Sequence, residues 1–235
     1  MKILAFDSAT SACSAAIWRD GEIPARRFAA MERGQSEALI PMVVEVLKEA
    51  GLTFAEIDFI VVTVGPGAFT GVRIGLAAAR GMALAGGLPI IGVTTFEAVA
   101  KGVGAAERAG RSLVVAIDAK RTDIYAQSFG PDLAALGPPA AVMPEALANA
   151  LPPGPLLVAG DGAAQLRPAL AAADMDRIRF ASGSGAPDAA DIAALAVERT
   201  LTAPVDAVPR PLYLRPPDAR CDLSVGCSFD PTLRS

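Results

Sequence analysis

The stretch Gly65-Pro66-Gly67-Ala68-Phe69-Thr70-Gly71-Val72-Arg73-Ile74-Gly75 follows the apolar run Phe59-Ile60-Val61-Val62-Thr63-Val64. It opens a second apolar segment that reaches about Ala85. Buried strand, glycine turn and helix start, in that order, are the setting in which a glycine loop can bind an anion. No Gly-Lys-Ser/Thr follows, so this is not a Walker A loop. Gly71 and Gly75 lie four apart, on one helix face. Each Gly costs about 1 kcal/mol against Ala in a helix interior, a cost that is offset where another backbone packs closely. Anion site and packing face stand level on these residues alone.

Outward from this stretch the chain alternates in type. Residues 2–6 are apolar and end at Asp7; Ser14 to Trp18 and Ile23 to Ala29 follow as short strands, with a turn at Gly21. Three short strands with tight turns form an antiparallel meander. A helix from about Ser36 to Ala50 stops at Gly51, a C′ residue. After the strand at 59–64 and the helix from Phe69 to Ala85, residues 89–93 form another strand, and Thr95 is placed to cap a short helix to about Val103. Residues 104–111 read as a linker. A second series then begins: Leu113 to Ile117 ending at Asp118, and Ile124 to Phe129. Pro and Gly crowd 137–155 around one weak helix; Leu156 to Ala159 ends at Gly160-Asp161-Gly162, with a helix to about Ala172. A last helix runs from about Ala189 to Leu201, and 216–235 reads as a polar tail with little structure. The result is an α/β chain of two lobes, each opening with a strand that ends in aspartate: 1–103, and 104–215, whose helix near 189–201 is free to pack back on the first lobe.

Composition narrows the chemistry. The 235 residues include no histidine, 21 Lys+Arg and 25 Asp+Glu, for a net charge of −4, and 52% are apolar, enough for a substantial core. Without histidine this chain alone builds no Ser-His-Asp triad, no Cys-His pair and no HExxH zinc site. The acidic balance argues against a free-standing nucleic-acid binder. The longest charge-free stretch, 81–96, has 16 residues with four Gly and one Pro, which is no membrane span. Cys13, Cys221 and Cys227 are an odd, sparse set that suits a reducing cytosol, so a cytoplasmic location is expected.

Two helices carry more apolar surface than one core-facing stripe needs. In 36–50, positions 38, 39, 40, 42, 43, 44, 46, 47 and 50 are apolar; in 69–85 the polar side chains are Thr70, Arg73 and Arg80. A partner subunit is the economical cover for the surplus; burial of both faces within the chain is the alternative. Leu39, Val43, Val46 and Leu47 share compatible spacings on the first helix, and Leu76, Ala79 and Met82 on the second, with Arg73 and Arg80 at its edge. These are the expected interface residues, although periodicity does not settle which stripe meets the partner. Asp7 and Thr10, in the turn Asp7-Ser8-Ala9-Thr10-Ser11, are candidate nucleotide contacts, with Asp118 before Ala119-Lys120-Arg121 and with Gly160, Asp161 and Gly162. Plain turns are the competing reading at each. No metal site is expected.

The ordered set of segments resembles the bacterial TsaB (YeaZ) family of tRNA threonylcarbamoyladenosine biosynthesis proteins over roughly residues 1–215. The motif at 65–75 carries most of the likeness, supported by Ile3 to Thr10, Ser36-Glu37, Asp118 to Arg121 with Tyr125, Gly160 to Gly162, and Pro211-Leu212-Tyr213-Leu214-Arg215. The resemblance implies two ribonuclease H/actin-like (ASKHA) lobes, each a mixed sheet with helices packed on it. It implies a non-catalytic subunit in N6-threonylcarbamoylation of adenosine 37 of tRNAs that read codons beginning with A. The implied partners are a TsaD-type paralog that holds the metal and active site, a TsaE-type ATPase, and a second copy of the chain when the paralog is absent. tRNA is met only through the complex. No tightly bound cofactor is implied, with ATP and Mg²⁺ acting in the assembled complex. Many relatives carry His-Ser-Glu where this chain has Gln35-Ser36-Glu37. The competing reading is a stand-alone ATPase or sugar kinase of the actin-like superfamily, with Asp7, Asp118 and Gly160 to Gly162 as its contacts. A peptidase lacks a histidine base.

Overall fold

The computed structural model describes residues 1–170, 175–200 and 208–215. Strands β1 (Lys2–Asp7), β2 (Ala12–Arg19) and β3 (Glu22–Ala30) form the meander, and α1 (Gln35–Glu49) leads to β4 (Phe59–Thr63). Helix α2 (Phe69–Gly86) leads to β5 (Ile90–Val93). The sheet order is β3-β2-β1-β4-β5, with β1–β2 and β2–β3 antiparallel and β1–β4 and β4–β5 parallel. After α3 (Thr95–Gly102) and α4 (Ala105–Arg108) the pattern repeats. Strands β6 (Ser112–Asp118), β7 (Ile124–Phe129) and β8 (Ala140–Val142), helix α5 (Pro144–Asn149), β9 (Leu156–Ala159), α6 (Ala163–Leu170) and β10 (Ile178–Phe180) give the order β8-β7-β6-β9-β10. Its first three strands are again antiparallel, and β6–β9 and β9–β10 are parallel. Two sheets of one topology, helices on their faces, are the ribonuclease H/actin-like arrangement.

Alternation places each strand residue on one of two covered faces. Leu4 and Phe6 of β1, with Ile60 and Val62 of β4, face Leu39, Val43 and Val46 of α1 and Val72, Leu76 and Ala79 of α2. Ile3 and Ala5, with Val61, face the other way, onto Ala189, Ile192, Ala193 and Ala196 of α7 (Ala189–Thr200). With both faces buried, β1 reads as a continuous apolar run. The second sheet is covered likewise by Leu166 and Leu170 of α6 on one face, and by Phe96, Val99 and Ala100 of α3 on the other. The lobes therefore trade helices: α3 follows the first sheet and packs on the second, and α7 follows the second and packs on the first. A boundary at 103/104 does not separate the two cores.

Several local expectations are corrected. The cap of α3 is Thr94, not Thr95: its hydroxyl accepts from Glu97 N at 3.1 Å, while Thr94 N donates to the Glu97 carboxylate at 2.8 Å. The glutamate three residues on selects Thr94, in a capping box. The 104–111 linker contains α4, and the 137–155 loop contains β8 besides its helix. Strand β10 and the 3-10 turns at Phe54–Glu56 and Met175–Arg177 had no periodic signal. The tail at 216–235 lies outside the described residues, as do the last residues assigned to the helices at 163–172 and 189–201.

Candidate functional site

The glycine motif is a packing device. A Cβ on Gly71 would sit 2.1 Å from the Ser8 carbonyl oxygen, and one on Gly67 would sit 2.1 Å from that of Ala9. Ser8 Oγ donates to Gly71 O at 2.9 Å, and Ala68 N donates to Ala9 O at 2.7 Å. Helix α2 is thereby pressed onto the β1–β2 turn, which is the close backbone approach that justifies glycine in a helix. Gln35 ties α1 to the same turn: its Nε2 donates to the carbonyls of Thr10 and Met31, both at 3.1 Å.

The candidate nucleotide residues do come together, at the facing ends of β1, β6 and β9. Asp7 is fully buried. Its Oδ1 accepts from Thr63 Oγ1 and from Ala9 N, and Oδ2 has no partner. Burial, helped by the nearby Asp161 carboxylate, pushes its pKa up to about 7 against the hydrogen bonds of Thr63 and Ala9. Thr10 Oγ1 is also buried without a partner. Asp161 accepts from Asp118 N at 2.9 Å and from Ser11 Oγ at 3.1 Å, so one carboxylate bridges both lobes. Burial raises its pKa, and the Asp118 charge adds to that. Burial works against ionisation of Asp118 too, but hydrogen bonds from Lys120 and Gln165 outweigh it and hold its carboxyl below the usual range. Gly160 and Gly162 press on β6: a Cβ on Gly160 would lie 1.9 Å from Ala116 O, and Gly162 N donates to that oxygen at 3.0 Å.

These residues do not fit a nucleotide phosphate. The donors it would need, Ser11 Oγ and Asp118 N, are held by Asp161. The Lys120 ammonium is paired with Asp118 at 2.9 Å. An incoming phosphate would meet the Asp7 and Asp161 carboxyls, which repel it once ionised. Among the described residues no cluster of three or more Cys, Asp or Glu is placed to hold a metal ion.

The expected interface residues are largely turned inward. Leu39, Val43, Val46, Leu76 and Ala79 are buried against their own sheet, and Leu47 and Met82 are half-buried against the same core. Arg73 and Arg80 are exposed but engaged with a C-terminal strap at 208–215. Arg73 Nε donates to Tyr213 Oη at 3.1 Å, and its guanidinium lies 3.5 Å from the Phe69 ring centroid. Arg80 donates to Pro209 O at 2.8 Å. The strap joins the first sheet through Leu212 N and Val64 O at 2.8 Å, and reaches the second lobe through Leu214 and the Arg215–Asp123 ion pair. The apolar side chains that α1 and α2 leave outside are Ile40, Val44, Leu84 and Phe69. Their signal was readable. Ile40 and Val44 lie on the stripe of Glu37 and Lys48, and Leu84 on that of Arg73 and Arg80, so the charged members mark the solvent-facing side.

The family model for TsaD, tRNA N6-adenosine threonylcarbamoyltransferase, matches residues 29–207, more than half of the chain. Escherichia coli TsaB, a tRNA threonylcarbamoyladenosine biosynthesis protein, is 42% identical over 53% of this chain. YeaZ from Pseudomonas aeruginosa superposes with a TM-score of 0.74 at 27% identity, over 91% of this chain and 99% of its own.

The chain belongs to the TsaB/YeaZ family.

An uncharacterized protein of Mycobacterium bovis is similar to this chain nearly end to end, at 33% identity over 93% of both chains. The chain spans about half the length of the E. coli TsaB it matches, 53%. Among the described residues no helix is long and apolar enough to cross a membrane.

Proposed function

We propose that this chain is a non-catalytic subunit that pairs with a TsaD-type catalytic subunit for N6-threonylcarbamoylation of adenosine 37 in tRNAs reading codons beginning with A. The observation that carries the reading is the exposed apolar face of α1 and α2, on which Ile40, Val44 and Leu84 stand 47%, 58% and 87% exposed. A patch of this kind on two adjacent helices marks an interface. In the absence of the paralog, a second copy of the chain covers the same face. The chain's own cleft supports the non-catalytic part: its carboxylates are buried or bonded to each other's neighbours, and no histidine is present. ATP and Mg²⁺ act in the assembled complex, with a TsaE-type ATPase, and not as a tightly bound cofactor of this cytoplasmic chain.

The test is co-purification with the TsaD-type paralog. Ile40→Glu with Val44→Glu, and separately Leu84→Glu, are expected to abolish pairing while the chain stays folded by circular dichroism. Retention of the complex by both variants, or ATP hydrolysis by the purified chain alone, would overturn the reading.

A further inference from the structure

Two carboxyls face each other across the cleft between the lobes. Asp7 ends β1 in the first lobe, and Asp161 stands in the turn between β9 and α6 in the second. Asp161 bridges the lobes: it accepts from Ser11 Oγ at 3.1 Å, in the turn that Asp7 opens, and from Asp118 N at 2.9 Å. The closed arrangement leaves two buried polar atoms of that turn without partners, Asp7 Oδ2 and Thr10 Oγ1. Asp7 Oδ1 already takes Thr63 Oγ1 and Ala9 N, so a proton on Asp7 resides on Oδ2. The groups around Asp7 come from several elements. Strand β2 sets Ser14 opposite it, with the Cys13 thiol close enough to feel its charge; burial first, and then that charge, push the thiol up to about 12, so it stays neutral. Strand β4 contributes Thr63. Helix α2 brings Gly71 and Gly75 against the turn, while its two arginines bond to the strap. The second lobe contributes the Asp161 carboxylate, on which Lys120 and Asp118 act in opposite senses. Lys120 is itself tied to Asp118 at 2.9 Å.

An ionised Asp7 is therefore a buried charge that meets a like charge, the situation two carboxyls avoid by keeping a proton or by moving apart. We propose that Asp7 and Asp161 form a like-charge switch for the cleft: while Asp7 carries its proton the Ser11–Asp161 bridge holds the lobes together, and when Asp7 ionises the bridge yields and water reaches Asp7 Oδ2 and Thr10 Oγ1. The proton passes to solvent. The traded helices α3 and α7 keep the lobes joined throughout, so the movement is local to this contact. The switch does not rest on the subunit reading. Its sign follows from linkage. Asp7 titrates at about 7 in the closed cleft and at an ordinary 3.8 once hydrated. Closure is fully favoured below pH 4, weakens as pH rises, and levels off above pH 7. Between pH 6 and pH 8 these two values make opening about tenfold more frequent.

The experiment is hydrogen–deuterium exchange of the full chain at pH 6 and pH 8, read by mass spectrometry and corrected for the intrinsic pH dependence of exchange. Peptides carrying Ser8–Ser11 and Gly160–Gly162 are expected to lose about tenfold in protection between the two, while Leu113–Ile117, in the core of β6, keeps its own. Asp7→Asn is expected to abolish that response. Asp161→Asn leaves an oxygen for Ser11 and Asp118 N and removes the like charge; it is expected to reduce the response without abolishing it, since burial still opposes the Asp7 ion. Asp191, on α7, is the control: burial first, and then Asp188, raise its pKa to about 6, so it titrates in the same range. Asp191→Asn is expected to leave the response intact. A response that survives Asp7→Asn, or that vanishes with Asp191→Asn, overturns the inference. An equal loss of protection at Leu113–Ile117 also overturns it, in favour of global loosening. If Asp7→Asn does not fold, Asp161→Asn decides, and an undiminished response there refutes the switch.

Discussion

Ser11 and Asp161, 150 positions apart in the chain, meet across the cleft at 3.1 Å, hydroxyl to carboxylate. The same carboxylate takes the Asp118 N–H at 2.9 Å. Asp161 is thus a clasp between a turn of the first lobe and a strand end of the second. Hydrogen bonds to a charged group contribute about 1.5–3 kcal/mol each, and a buried donor left unpaired costs more than the bond alone. Asp161→Ala is expected to lower stability by about 2–4 kcal/mol in urea unfolding, and Ser11→Ala, which removes only the outer bond, by about 1 kcal/mol.

Asp7 makes stability depend on pH with a definite sign. Its pKa is about 7 in the folded chain against an ordinary 3.8, so the folded state holds the proton more tightly. Stability from this group is fully present below pH 4, falls as pH rises, and is lost above pH 7. About three pH units at 1.4 kcal/mol each bound the effect at roughly 4 kcal/mol. Asp7→Asn is expected to gain stability relative to the parent between pH 5 and pH 8. Unfolding midpoints of the two proteins across that range check it, and a constant difference between them refutes it.

Two glycines of α2 should respond oppositely to alanine. Gly71→Ala drives a methyl to 2.1 Å from a backbone oxygen, and helix and turn must separate. A loss of about 3 kcal/mol or more is expected, in the range of overpacked cores. Gly81 has nothing within 4 Å of where a Cβ would stand, so Gly81→Ala is expected to stabilise by up to about 1 kcal/mol through helix propensity. Thermal unfolding of the pair separates packing from propensity.

Neighbouring positions of α1 should separate folding from pairing. Val43 is 4% exposed and Val44 58%. Val43→Glu buries an unpaired carboxyl and is expected to unfold the chain or yield an insoluble one. Val44→Glu is expected to leave the unfolding midpoint within about 0.5 kcal/mol of the parent, as surface substitutions usually do.

Much of the architecture was legible in local pattern. The runs ending at Asp7, Val64 and Asp118, and the glycines at 65–75, announce strand ends and a tight helix start without any tertiary knowledge. Edge strands β8 and β10, three residues each, are too short to show a period of two. The orientation of α1 and α2 was hard to read because most positions are apolar; only the charged Glu37, Glu45, Lys48, Glu49, Arg73 and Arg80 discriminate between the faces. The clasp was invisible because its partners are brought together by the fold.

The traded helices have a consequence for how the chain must be made. A fragment ending near residue 103 would leave the α7 side of its first sheet bare, at Ile3, Ala5 and Val61, and a fragment beginning there would lack the α3 cover of its second. Neither half is a self-sufficient folding unit. Synthesised apart, the two are expected to be insoluble singly and to recover native structure only by complementation. During translation the first sheet then waits, one flank open, until the ribosome has delivered α7.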